Sequence, residues 1–149
     1  MILNGQRTVR VARRPLELFL RRVQNELSLV ETDVTIRLVS DVEIARMNEA
    51  FRKKKGPTDV LSFPAAVRRR PVRIRRAGRR LAISGDLGDI AISPATAQRN
   101  AKRLGRTLPS ELRILILHGV LHLLGYDHEA DHGEMDRTEQ RLRRRLGLA

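Results

Sequence analysis

The chain of 149 residues has no cysteine and no tryptophan, and its aromatic side chains are limited to one tyrosine and three phenylalanines. Without thiols there can be no disulfide, no thiolate metal site and no cysteine nucleophile, which fits a reducing, cytoplasmic compartment. Any metal must then be held by nitrogen and oxygen. So few rings also argue against a platform on which the bases of a nucleic-acid strand would stack. A membrane-spanning helix needs about 18 consecutive apolar residues. The longest apolar candidate, Ile114 to Gly125, is short and carries two histidines, so no membrane association is expected. Acids are scarce as well, seventeen against thirty basic residues, for a net charge of +13. Lysine is limited to Lys53, Lys54, Lys55 and Lys102, and every other cation is arginine. The planar guanidinium suits phosphate, so a domain this positive is expected to bind a polyanion through contacts that weaken as salt rises. A surface of merely solvated arginines would leave the same composition.

The length is that of one domain, residues 1–149, able to bury a core without disulfide or metal staples. Arg7, Arg10, Arg13 and Arg14 precede the first acid, Glu17, as in a transit peptide, yet no apolar signal core follows Met1. Arg7 to Val11 alternates as a first strand would. Leu16, Phe19, Leu20, Val23 and Leu27 then recur at helical spacing. Thr35 to Val39 alternates as a strand, and Ser40 to Glu43 has the form of a capping box opening a helix with Ile44, Met47 and Phe51 on its inner face.

From Phe51 the chain passes through a basic helix end and a Gly-Pro loop into a short strand, Val60 to Phe63. Lys53, Lys54 and Lys55 complement the helix dipole there, and they also make a phosphate-sized positive patch. Residues 68 to 80 hold eight arginines with Pro71 and Gly78, the pattern of a surface hairpin or mobile loop, either solvated or gripping nucleic acid. Two short strands are expected next, Leu81 to Ser84 and Gly88 to Ile92, joined by a Gly-Asp turn. Asp86 and Asp89 read as turn residues more readily than as a catalytic pair of carboxylates. Ser93-Pro94 suits the start of a helix that runs to about Leu104 and ends at Gly105. The order to that point is βαβαβββα.

Leu108 opens a helix that is apolar on every side through Ile114 to Leu117, as a helix surrounded by protein must be. All four histidines lie between residues 118 and 132. His118 and His122, four apart, share one helical face, where one ion can bridge them. His128 follows just past Gly125, a residue suited to the left-handed turn that ends a helix. Neutral imidazoles without thiolates fit zinc or a similar borderline ion, and three protein ligands leave one position open, the catalytic rather than the structural arrangement. His132, four residues further on, is expected at the surface. The protease pattern H-E-x-x-H would place a glutamate base directly after the first histidine, but that position is Gly119. The missing base argues against peptide hydrolysis, and a glycine there is expected to leave space beside the metal for a bulky substrate. A last helix, Asp131 to Leu146, turns Met135, Leu142 and Leu146 inward and Arg137, Arg141, Arg143 and Arg144 largely outward.

The run His118-Gly-Val-Leu-His122-Leu-Leu-Gly-Tyr-Asp-His128 resembles the signature of the YbeY endoribonucleases. Met47-Asn48 with Phe51-Arg52, the stretch Thr58 to Pro64, and Gly88-Asp-Ile90 agree with it. The resemblance implies a single α+β domain, a small mixed β-sheet flanked by helices and distantly like the metalloproteases. It further implies that His118, His122 and His128 bind one zinc ion and that Arg52 is the catalytic arginine. The implied activity is cleavage of single-stranded RNA in maturation of the 16S rRNA 3′ end and in ribosome quality control, with the small ribosomal subunit as partner. Lys53, Lys54 and Lys55 are candidate RNA contacts. Asp127 could orient a ligand or water, or serve as a cap. Two rival readings are a non-catalytic RNA-binding or ribosome-assembly factor holding zinc structurally, and a zinc peptidase.

Overall fold

The computed structural model describes residues 1–65, 72–77, 80–127 and 130–148, with the backbone alone for 72–77 and 80–82. Ten elements follow in order: β1 (Ile2–Asn4), α1 (Arg13–Glu26), β2 (Glu31–Leu38), α2 (Asp41–Arg52), β3 (Val60–Pro64), β4 (Val72–Ala77), β5 (Arg80–Ile92), α3 (Pro94–Leu104), α4 (Leu108–Leu123) and α5 (Glu134–Arg145). They form the small mixed α+β domain expected. Among the described residues no helix is long and apolar enough to cross a membrane.

The sheet is built around β5. Its C-terminal half pairs with β2 in parallel and with β3 antiparallel, its N-terminal half pairs with β4 antiparallel, and β1 lies outside β2 in parallel. The two short strands expected between Leu81 and Ile92 are therefore one strand of 13 residues. The Gly-Asp sequence does not turn the chain back. It is absorbed in a bulge, where Asp33 pairs with Asp86 and Val34 with Gly88, and the Asp86 carboxylate accepts from Gly88 N at 3.1 Å. Asp89 is buried beside Arg37, 3.4 Å away. The arginine-rich stretch contains β4 and the start of β5, so the hairpin reading holds for its described part, and residues 68–71 and 78–79 lie outside it.

Arg7 to Val11 is not a strand, because the Gln6 side chain takes over the backbone groups that a ladder would use. Its amide donates to Val9 O at 2.8 Å and accepts from Val9 N at 3.0 Å, closing a tight turn. The first strand is Ile2–Asn4 instead, with Ile2 opposite Ile36.

Alternation along β5 divides the core. Ile90 and Ile92 join the main cluster with α1 and α4, whereas Ala91 faces a smaller cluster of Val39, Ile44 and Leu61 under α2. Helix α4 touches α1, α3, α5, β3 and β5, and its apolar run is buried as the all-round apolar sequence requires. The caps are those expected: Ser40 Oγ accepts from Glu43 N at 3.2 Å, Ser93 Oγ from Thr96 N at 3.3 Å, and Gly105 ends α3 with φ of 69°. The last helix starts later than expected, at Glu134. The Asp131 carboxylate before it accepts from the backbone N–H groups of Gly133 and Met135, both at 2.9 Å.

Candidate active site

A cleft of about 500 Å³ opens where the C-terminal ends of α2 and α4 meet β3, and it contains Arg52, His118 and His122 together. Each side chain arrives there for a local reason. Phe51, expected on the inner face of α2, is 44% exposed instead, and its ring touches Phe63 of β3 with centroids 4.7 Å apart. Helix α2 then ends at Lys53, whose φ is 55°, and the buried Asn48 amide donates to Gly56 O at 3.0 Å. That bond holds the Gly-Pro loop and leaves Arg52 at the cleft. Lys53, Lys54 and Lys55 are exposed on the loop beyond and do not line the cleft.

On α4, the rings of His118 and His122 meet edge to face with centroids 4.6 Å apart. Their Nε2 atoms converge to 3.1 Å. The second nitrogen of His118, Nδ1, lies 2.7 Å from Glu139 Oε1 on α5, and Arg143 Nη2 approaches the other oxygen at 2.9 Å. Burial alone would raise the Glu139 carboxyl, but the hydrogen bond and charge of His118, with the Arg143 guanidinium, outweigh it and hold the group below the ordinary carboxylate range. An ionised carboxylate only accepts, so the ring nitrogen facing Glu139, Nδ1, is the donor, and Nε2 is the atom turned toward His122.

Two convergent imidazole nitrogens, one backed by a carboxylate, match the donor chemistry of a zinc-type site, in which nitrogens sit about 2.0–2.1 Å from the ion and the outer ring nitrogen is hydrogen-bonded. The residues present therefore fit such an ion. Among the described residues no third ligating side chain completes the pair, and His128, the expected third ligand, lies outside them. Gly125 does make the expected turn, with φ of 98° and Tyr126 N bonded to Leu121 O at 3.1 Å, which brings Tyr126 and Asp127 into the cleft. His132 is exposed, as expected.

Gly119 does not act as expected. It is buried, and a Cβ there would lie 2.9 Å from both Cδ1 and Cγ2 of Ile90 on β5. The missing side chain makes room for the sheet under α4 rather than for a substrate. The Gly119 carbonyl accepts from Ser62 Oγ at 3.0 Å, tying β3 to the helix between the two histidines. Gly88 performs a similar service, since a side chain there would strike the Phe63 carbonyl and the Leu123 side chain. Asp86 and Asp89 do not line the cleft.

Glu139 was not anticipated, nor was the inward position of Arg143, whose side chain is 16% exposed. A signal existed: Glu139 falls on the same helical stripe as the buried Met135 and Leu142, and an acid on an apolar stripe must have a partner.

Fold and cleft together define a class, a single α+β domain in which two histidines of one buried helix converge on a cleft that an arginine also lines. The chain belongs to the YbeY endoribonuclease family: the family model Endoribonuclease YbeY matches residues 2–147. It is similar to the Endoribonuclease YbeY of Koribacter versatilis, 43% identical over 99% of this chain and 86% of that protein. The protein of the same name from Solibacter usitatus is 43% identical over 91% of this chain and 81% of its own length. Among solved structures, the solution structure of TM1509 from Thermotoga maritima matches with a TM-score of 0.61 and 27% identity, over 98% of this chain and 89% of that one.

Proposed function

We propose that the protein is a zinc-dependent endoribonuclease that cleaves single-stranded RNA in the cytoplasm. Its substrate on this reading is ribosomal RNA, at the 3′ end of the 16S species, met on the small ribosomal subunit during maturation and quality control. The observation that carries the reading is the convergence of the His118 and His122 Nε2 atoms to 3.1 Å in a cleft that Arg52 also lines.

His118 and His122, with His128, are the residues that would hold the ion. A bound zinc supplies Lewis-acid polarisation of a phosphoryl oxygen and lowers the pKa of water. The chain's own residues do the rest. Glu139 keeps the His118 proton on Nδ1 and so aims Nε2 into the cleft. The guanidinium of Arg52 offers two parallel donors to a phosphate and stabilises the charge that grows on its oxygens in the transition state. The half-buried Tyr126 lines the same cleft with Asp127, and on this reading the scissile phosphate is held between Arg52 and the histidine face. No glutamate follows His118, and Gly119 faces Ile90 rather than the cleft, which leaves this helix without a peptidase base.

Metal analysis and RNA cleavage on three proteins test the proposal. Arg52→Ala is expected to keep its zinc while losing cleavage at least a hundredfold, roughly the worth of one transition-state donor. His122→Ala is expected to lose both zinc and cleavage. Full ribonuclease activity in metal-free wild type would sink the reading.

A further inference from the structure

Helix α5 carries five arginines, and they divide into two sets. Arg143 is turned inward onto Glu139 at 2.9 Å, and Arg145 meets Glu26 of α1 at 3.0 Å. Arg137, Arg141 and Arg144 are exposed and fall at i, i+4 and i+7, one stripe about 10 Å long at 1.5 Å per residue. Among the described residues no carboxylate pairs with any of the three. Arg137 Nη1 donates to the backbone carbonyl of His132 at 3.2 Å, a neutral acceptor that leaves the charge uncompensated.

Such a stripe opposes the free helix. Like charges at this spacing lie within about a Debye length of each other at physiological salt and repel. The helix dipole favours cations near Arg144 but disfavours one at Arg137, close to the N-terminus. The opposite face of α5 is buried and holds Glu139 against His118. The stripe is therefore separated from the histidines by about one helix diameter, 10–12 Å, and is no part of the cleft.

We propose that the Arg137–Arg141–Arg144 face of α5 is a second docking surface, which binds the phosphate backbone of an RNA substrate beyond the nucleotides held in the cleft. This rests on the endoribonuclease reading for the identity of the polyanion. Glu134, at the start of the same face, is engaged by the His132 backbone N–H at 2.6 Å rather than by an arginine. Guanidinium groups grip phosphate in two-point fashion, and a row of three with no paired carboxylate among the described residues is complementary to a chain of phosphates. An RNA that only fills the cleft cannot reach the stripe. A longer one can, and the arginines then favour long substrates over short ones without touching the scissile bond.

The test compares zinc-loaded, full-length wild type with the triple variant Arg137→Gln, Arg141→Gln, Arg144→Gln on a short single-stranded oligonucleotide sized to the cleft and on a long single-stranded RNA. Cleavage of the short substrate is expected to be unchanged, and KM for the long RNA to rise about tenfold at low salt. The slope of log affinity against log salt for the long RNA should fall by about 2, three phosphates at roughly 0.7 each. Equal KM and equal slope on the long RNA overturn the proposal, as does an equal loss on the short one, which would place the arginines in the cleft's own action. If wild type cleaves neither RNA, the endoribonuclease reading fails, while the salt slope of long-RNA binding still decides the docking surface. Should the triple variant not fold, Arg141→Gln with Arg144→Gln is expected to give a proportionate change in slope, and no change there counts against the surface.

Discussion

Gly119 shows how little room separates the histidine helix from the sheet. A single methyl group at this position would meet three carbons of Ile90, a β-branched side chain that is itself fully buried. Neither the helix nor the strand can yield without disturbing the other contacts of the core. Gly119→Ala is expected to cost about 1–3 kcal/mol, the usual range for overpacking a filled core, despite the better helix propensity of alanine. Urea unfolding checks this, and a midpoint at or above that of wild type would show that the packing is looser than the geometry indicates. Residues on either side feel the same constraint. His118 and His122 take their positions from a helix whose distance from β5 is set where the side chain is missing.

At the scale of elements, the junction of α2 and α3 is held by one carboxylate. Asp41, in the first turn of α2, accepts from Ser93 Oγ at 2.6 Å, Thr96 Oγ1 at 2.7 Å and Arg99 Nη2 at 2.9 Å. Ser93 at once caps α3 and donates to the acid that joins it to α2. Burial works to raise the Asp41 pKa, but the bonds from Ser93, Thr96 and Arg99 and the arginine's charge prevail and lower it. A depressed folded-state pKa means stability that is fully present above the unfolded value, about 3.9, and lost as pH falls through the folded one. Asp41→Asn is thus expected to lower stability by about 1–2 kcal/mol at pH 7, with the gap closing in acid. Denaturation at neutral pH and near pH 2 measures it. A difference that stays constant with pH would mean that the charge contributes nothing.

Over the whole molecule the dominant fact is the charge of +13, which opposes the compact state and attracts polyanions. Shortening the Debye length from about 30 Å to about 8 Å by adding salt should therefore raise the thermal midpoint of the free protein while weakening its RNA binding. Calorimetry and binding titrations across that range test both, and parallel trends would contradict the electrostatic account. The sheet's long strand and the Gln6 turn were not legible in the chain. Gly-Asp pairs and short alternations look alike whether they turn a hairpin or bulge a strand, and tertiary pairing decides between them. The helices were legible because periodicity and caps are local, as at Ser40, Ser93 and Gly105. The histidine pair was legible for the same reason, being four residues apart on one helix. Glu139 was not, because its meaning depends on a contact across 21 positions of sequence.

That contact has one more consequence. Glu139 grips the His118 imidazole with one oxygen and Arg143 with the other, so a single side chain orients a cleft residue of α4 and fastens the last helix. The two tasks share one free energy, and such sharing is reciprocal. Removing the Glu139 carboxylate is therefore expected to free the His118 ring and to loosen α5 together. Helix α5 is in this sense a clamp on one wall of the cleft, holding a ring of α4 from behind.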